Sequence, residues 1–212
     1  KGGVSFLFYL GQVFLNERIK SNSKNSYQKN SSKISRNIIC LVHTILTLIF
    51  ILSYDLLQLR PFINYMSIVS TGYFIFDTYY ILKFYQLDTL KFMYLYHHGA
   101  IIYSLSQHEI TKKCYYMAFL WAEISNIPLY VVYHLIKSDP ESKVLTTFKK
   151  IQKYTYLFAR VPMMSYYTYL MYLEIENRVG FYITLPVYFL GVIWTICLFL
   201  IWKLLYSILI IS

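Results

Sequence analysis

IICLVHTILTLIFILSY, residues 38–54, is a run of seventeen residues with no formal charge and one histidine, His43. A helix crosses a bilayer with roughly 17–25 predominantly apolar residues, so this stretch has the length and character of a membrane span. Five further runs have a similar character: 65–82, 92–106, 114–136, 154–173 and 184–202. An earlier run, 4–15, is too short to cross alone and is expected to be the tail of a truncated helix or an interfacial segment. Because the chain begins at Lys1 without an initiator methionine, either a piece upstream has been removed or the sequence is a fragment.

The composition agrees. Apolar residues make up 57% of the chain and charged ones only 14%, against about 45–50% and 25% in soluble domains. Tyrosine is abundant, with 24 copies. Together with frequent Phe, Ile, Asn and Lys, this matches the codon bias of an AT-rich genome, with interfacial anchoring a secondary role. Cys40, Cys114 and Cys197 are far apart and fit neither a metal nor a redox spacing, so they read as small buried apolar residues.

The net charge of +10 does not imply a nucleic-acid partner, because the Lys and Arg residues fall between the apolar runs. If all seven runs cross, one side collects Arg18, Lys20, Lys24, Lys29, Lys33, Arg36, Lys83, Lys91, Lys137, Lys143, Lys149, Lys150 and Lys153. The other receives Arg60, Lys112, Lys113 and Arg178. Thirteen against four is the asymmetry of the positive-inside rule, and it puts the basic segments on a cytosolic or mitochondrial-matrix side. The chain divides accordingly. Residues 1–20 form a partial N-terminal membrane or interfacial helix, 21–37 a polar basic linker, and 38–212 a transmembrane domain. The expected fold is an all-α polytopic bundle of about seven spans.

Ionisable residues inside spans are costly and mark candidate sites. Here they are His43, Asp77, His97, His98, Glu123 and Arg160, contributed by five segments. Adjacent helical residues point about 100° apart, so one of His97 and His98 is expected to face the interior and the other a neighbouring helix or the headgroup level. Either, as neutral imidazole, is a candidate general base or a lipid-head ligand. As packing residues they would bond Asp77 or Glu123. Tyr73 lies one turn before Asp77 and is expected to bond its carboxylate. In WAEISNIP, 121–128, Pro128 leaves the Ile124 carbonyl without its helical donor and makes a polar notch with Ser125 and Asn126 beside Glu123. Arg160 and Pro162 form a similar break, and Arg160 is expected to pair with Glu123 or Asp77. No Gly-rich phosphate loop, GxSxG elbow or HExxH motif occurs. Neither a metal nor a cofactor is expected.

These residues, in this order, resemble the TLC-domain membrane proteins. The resemblance runs over roughly residues 35–205 and rests on SRNIICLVHTIL, STGYFIFD at 70–77, the double histidine, WAEISNIP and Arg160. It implies a helix bundle around a lipid-sized cavity faced by the histidine pair. In ceramide synthases the pair continues into a longer acidic signature. Here GAIIYSLSQHEITKKCYYMAFLWAEIS follows, with no Asp, and only Glu123 matches a carboxylate position. The resemblance is therefore closest to the small TLC-domain proteins that are not ceramide synthases.

The expected function is binding or sensing a lipid or acyl chain in an intramembrane cavity, without catalysis. His43, Tyr73, Asp77, His97, His98, Glu123, Asn126 and Arg160 would line its polar part, and membrane lipids would be the partners. One alternative is an accessory structural subunit of a larger membrane complex, such as a mitochondrial respiratory assembly. Another is a lipid acyltransferase with His97 or His98 as base. The resemblance implies the endoplasmic reticulum, with the mitochondrial inner membrane as the rival.

Overall fold

A computed structural model of the chain describes residues 2–22, 30–84, 89–106 and 113–179. Among them every regular element is helical: α1 (Gly2–Asn22), α2 (Ser31–Leu57), α3 (Arg60–Phe84), α4 (Thr89–Ser106), α5 (Lys113–Ser138), α6 (Lys143–Phe158) and α7 (Met164–Val179). The expected span at 184–202 and Cys197 lie outside the described residues. Central α2 packs against α1, α3 and α5. Helix α1 also lies on α3, α4 leans on α3, and α5 supports α6 and α7. Two helices, Ser31–Leu57 and Lys113–Ser138, are long and apolar enough to cross a membrane.

The outer faces of α2 and α3 are apolar. On α2, Val42, Ile45, Ile49, Leu52 and Leu56 recur at three- and four-residue steps, and all are exposed. On the opposite face His43, Thr44 and Thr47 are buried. Helix α3 repeats the pattern, with Ile68, Ile75 and Leu82 outward and Ser70, Thr71 and Asp77 inward. A helix surrounded by water turns its polar stripe outward and its apolar stripe in. Both helices also bury apolar residues, among them Ile34, Ile39 and Ile51 on α2 and Ile63, Met66, Phe74 and Phe76 on α3, so the interior is mixed; what departs from a water-facing helix is the apolar outer stripe.

Local chemistry sets the joints. Helix α2 stops at Gln58, whose backbone is left-handed (φ 53°) and whose N–H donates to the Tyr54 carbonyl at 2.7 Å. Pro61 then sits in the first turn of α3, where its missing N–H has no helical acceptor to serve. In α1 and α3 the backbones approach closely at Gly72, where a Cβ would lie 2.6 Å from Val4 Cγ1 and 3.0 Å from the Ser5 nitrogen. Helices α6 and α7 join through a π-helical turn, Ala159–Met163, in which the Met164 N–H reaches the Ala159 carbonyl. Pro162 lies inside that turn and has no N–H to give, which favours the widened winding.

The first helix runs from Gly2 to Asn22 and buries Phe8 and Gln12 against its neighbours. Two later segments differ from the sequence expectation. The linker expected at 21–37 is helical from Ser31 onward, with Ser31, Ile34 and Ser35 buried. Polar composition is tolerated there because the serines bond internally. Ser35 Oγ donates to the Ser32 carbonyl at 3.0 Å and accepts from Gln12 Nε2 at 3.2 Å. Finally, the basic stretch expected as a loop before 154 is mostly helix α6. Its start is capped by Ser142, whose Oγ accepts from the Val144 N–H at 3.2 Å.

Candidate functional site

Three polar clusters occupy the inward faces. In the first, the Arg36 guanidinium donates twice to Asp77, Nε to Oδ1 at 2.7 Å and Nη2 to Oδ2 at 2.9 Å. Such a fork matches a carboxylate in geometry as well as charge. His98 reaches the same carboxylate, with Nε2 3.5 Å from Oδ2, and its Nδ1 meets Thr78 Oγ1 at 3.1 Å. Arg36 lies over the Tyr80 ring, 5.2 Å from its centroid, and the Tyr80 and Ser32 hydroxyls bond at 2.7 Å. Sequence reasoning missed Arg36 by treating it as an orienting loop cation. The usable signal was its place one turn before Cys40 and two before His43, on the inward stripe of α2.

The second cluster centres on His43. Its Nε2 lies 3.1 Å from Ser70 Oγ and 3.2 Å from Thr47 Oγ1, and those two hydroxyls are 3.1 Å apart. The imidazole stacks flat on Tyr73, with centroids 3.8 Å apart. Tyr73 does not bond Asp77 as expected; its hydroxyl donates to Cys40 Sγ at 3.0 Å. Helical side chains lean toward the N-terminus of their helix. The long Tyr73 ring therefore carries its hydroxyl away from Asp77 and across to α2. Cys40 and Cys114 are buried.

The third cluster joins α2, α5 and the π turn. Glu123 accepts from Thr44 Oγ1 and from Asn126 Nδ2, the latter at 3.3 Å. Asn126 Oδ1 in turn accepts from Arg160 Nη2 at 3.1 Å. Arg160 also donates to Ser125 Oγ at 2.9 Å and to the Ala122 carbonyl at 3.3 Å, and stands over the Tyr156 ring. The expected ion pair of Arg160 with Glu123 or Asp77 is not formed among the described residues. Its place is taken by the Asn126 amide, which links the two charges.

The polar residues thus gather in separate groups rather than around one point. Arg36 and Thr44 are eight positions apart on α2, about 12 Å along the axis, and the His43–Tyr73 stack fills the space between. Of the histidine pair, His98 is buried against Asp77, as the 100° argument requires of one member. His97 is half-buried, with its ring edge-on to Phe74 at 6.5 Å. Among the described residues no three His, Cys, Asp or Glu side chains are grouped to hold a metal ion.

A groove of about 340 Å3 opens where α1 and α3 end and α2 begins. Its walls include Tyr9, Tyr79, Tyr80 and Ser32, and its rim Lys20 and Lys83. Lys83 donates to the Tyr79 hydroxyl at 3.1 Å, a bond that raises its pKa above the ordinary lysine value. Nothing in the sequence singled out this groove, because its walls come from three segments that meet only in the fold. No family model, curated protein or solved structure matches the chain.

Proposed function

We propose that the chain is a polytopic membrane protein that binds a lipid without transforming it. Its plan is that of a seven-span TLC-like bundle, with the basic segments on the cytosolic or matrix side. The observation that carries the membrane reading is the apolar outer face of α2 and α3, aliphatic at Val42, Ile45, Ile49, Leu52, Ile68, Ile75 and Leu82, while the ionisable His43 and Asp77 are held inside. A surface of that kind meets lipid first, so the ligand most available to it is a lipid. The absence of chemistry is supported by His98, whose two ring nitrogens face Thr78 and Asp77 and whose side chain is buried. A general base must reach a substrate proton, and this imidazole would have to give up a contact to do so. The TLC-like plan is supported by the order of Asp77, the histidine pair, Glu123 and Arg160, and by the Asp77–His98 contact. That resemblance favours the endoplasmic reticulum.

The test is native mass spectrometry of the full chain released from mild detergent, before and after incubation with a long-chain acyl-CoA. One retained lipid of unchanged mass is the expected result. A lipid-free chain in stoichiometric complex with other subunits would overturn lipid binding in favour of the accessory-subunit role. Acylation of the lipid, lost in the double variant His97→Ala/His98→Ala, would overturn the non-catalytic reading.

A further inference from the structure

The groove between the ends of α1 and α3 has an aromatic wall, from Tyr9, Tyr79 and Tyr80, and a polar rim in which Lys20 and Lys83 stand with Gln12, Asn16 and Glu17. The two cations differ in their partners. Lys20 is bonded to Glu17 at 2.9 Å, one turn earlier on its own helix. Lys83 makes no ion pair among the described residues; it meets the Tyr79 hydroxyl and lies 5.4 Å from the centroids of the Tyr79 and Phe84 rings. Glu17 itself lines the groove but is engaged by Lys20, and Asp77 beneath the Tyr80 wall is engaged by Arg36. The groove mouth therefore keeps one positive charge that the described residues do not neutralise.

Beyond the mouth the surface is apolar. Leu10 and Val13 on α1 and Ile68, Ile75 and Leu82 on α3 are exposed. The ammonium of Lys83 thus sits where the aliphatic stripe of α3 ends, and tyrosines flank it. Lysine and tyrosine at the end of an apolar stripe is the pattern of the headgroup level of a membrane.

We infer that this groove binds the phosphate-bearing headgroup of an anionic phospholipid, with Lys83 as the countercharge and the acyl chains lying along the exposed α1 and α3 stripes. The inference rests on the lipid-binding reading and names the lipid class and the place. A cavity of this volume accepts a phosphate and its glycerol. The tyrosine rings cover the glycerol backbone, and the Ser32 and Tyr80 hydroxyls, bonded to each other at 2.7 Å, close the floor. A zwitterionic head brings its own cation next to Lys83 and loses the net attraction.

The experiment uses the full chain in nanodiscs of phosphatidylcholine mixed with phosphatidylglycerol, and reads the lipids retained by native mass spectrometry. The wild type is expected to retain phosphatidylglycerol preferentially. Lys83→Gln should lower that preference about fivefold, the effect of about one interfacial cation. Lys83→Arg should keep it, and Lys150→Gln, an exposed basic-side control outside the groove, should leave it unchanged. Equal losses from Lys83→Gln and Lys150→Gln would overturn the groove, since general surface charge would then explain the preference. Displacement of the lipid by inorganic phosphate would overturn the lipid assignment and leave a phosphate site. A wild type that retains lipid without an anionic preference defeats this inference alone, whereas a wild type that retains none defeats the lipid-binding reading with it. Lys83 is exposed, so loss of folding does not confound the variant.

Discussion

Arg36 and Asp77, forty-one positions apart, hold α2 and α3 together by two hydrogen bonds of 2.7 and 2.9 Å. The carboxylate is 4% exposed and the guanidinium 25%, so the pair is buried on one side and open on the other. Removing one member of a buried pair leaves the other without compensation, a loss of about 3–5 kcal/mol. Because Arg36 keeps a quarter of its side chain open, Asp77→Asn is expected at the lower end, about 3 kcal/mol. The double variant Arg36→Met/Asp77→Leu should recover most of that, since it removes both charges from the seam. Thermal unfolding in detergent measures both, and a double variant no more stable than Asp77→Asn would contradict the interpretation.

The histidine pair should prove unequal. His98 is buried, with Nδ1 3.1 Å from Thr78 Oγ1 and Nε2 3.5 Å from Asp77 Oδ2, whereas His97 is half-buried. His98→Ala removes a hydrogen-bonding ring and leaves its partners unsatisfied, a loss of about 1–3 kcal/mol. His97→Ala should cost less than His98→Ala. The two single variants, compared by thermal unfolding, decide the point; a larger loss at His97 would mean that the pair faces the other way.

How far the sequence reached can be seen at particular residues. The all-helical class and the break at Arg160–Pro162 were legible, since helical spacing and proline chemistry each act locally; Pro128, expected to kink its helix, lies inside the unbroken α5. Arg36 was not legible, because a cation beside a polar stretch looks the same whether it orients a loop or enters a helix. Only the position of Asp77 on another helix makes the difference. Tyr73 was assigned the wrong partner for a related reason: spacing along one helix says which residues share a face, and says nothing of a cysteine across the interface. The hydroxyls of Thr44, Thr47, Ser70 and Thr78 went unread because single hydroxyls are ordinary in membrane helices. They gain meaning only when a His or Glu lies opposite them.

Asn126 is expected to transmit the interaction between Glu123 and Arg160. Its Nδ2 donates to Glu123 and its Oδ1 accepts from Arg160, so the amide is oriented by both charges at once. A double-mutant cycle between Glu123→Gln and Arg160→Met should give a coupling of about 0.5–1 kcal/mol in the wild-type background. In the Asn126→Ala background that coupling should fall to near zero. If it persists undiminished, the two charges interact directly through space and the amide is incidental.

Gly72 should tolerate no larger side chain. A Cβ at that position would meet Val4 Cβ at 2.8 Å and the Ser5 backbone nitrogen at 3.0 Å. A valine side chain tip can rotate, but neither a Cβ atom nor a backbone nitrogen can retreat without moving α1 away from α3. Gly72→Val is therefore expected to lose about 1–3 kcal/mol by overpacking, and the damage should concentrate in α1, whose seat against α2 also includes the Gln12–Ser35 bond. Hydrogen exchange should show it as faster exchange along Gly2–Asn22 with little change in α5, since α5 packs on α2 away from that seam. The compensating change Val4→Ala, which removes the Cγ1 atom found 2.6 Å from the added Cβ, should restore part of the protection. Uniformly faster exchange throughout the bundle in Gly72→Val, unrelieved by Val4→Ala, would show that the contact at Gly72 is not what seats the first helix.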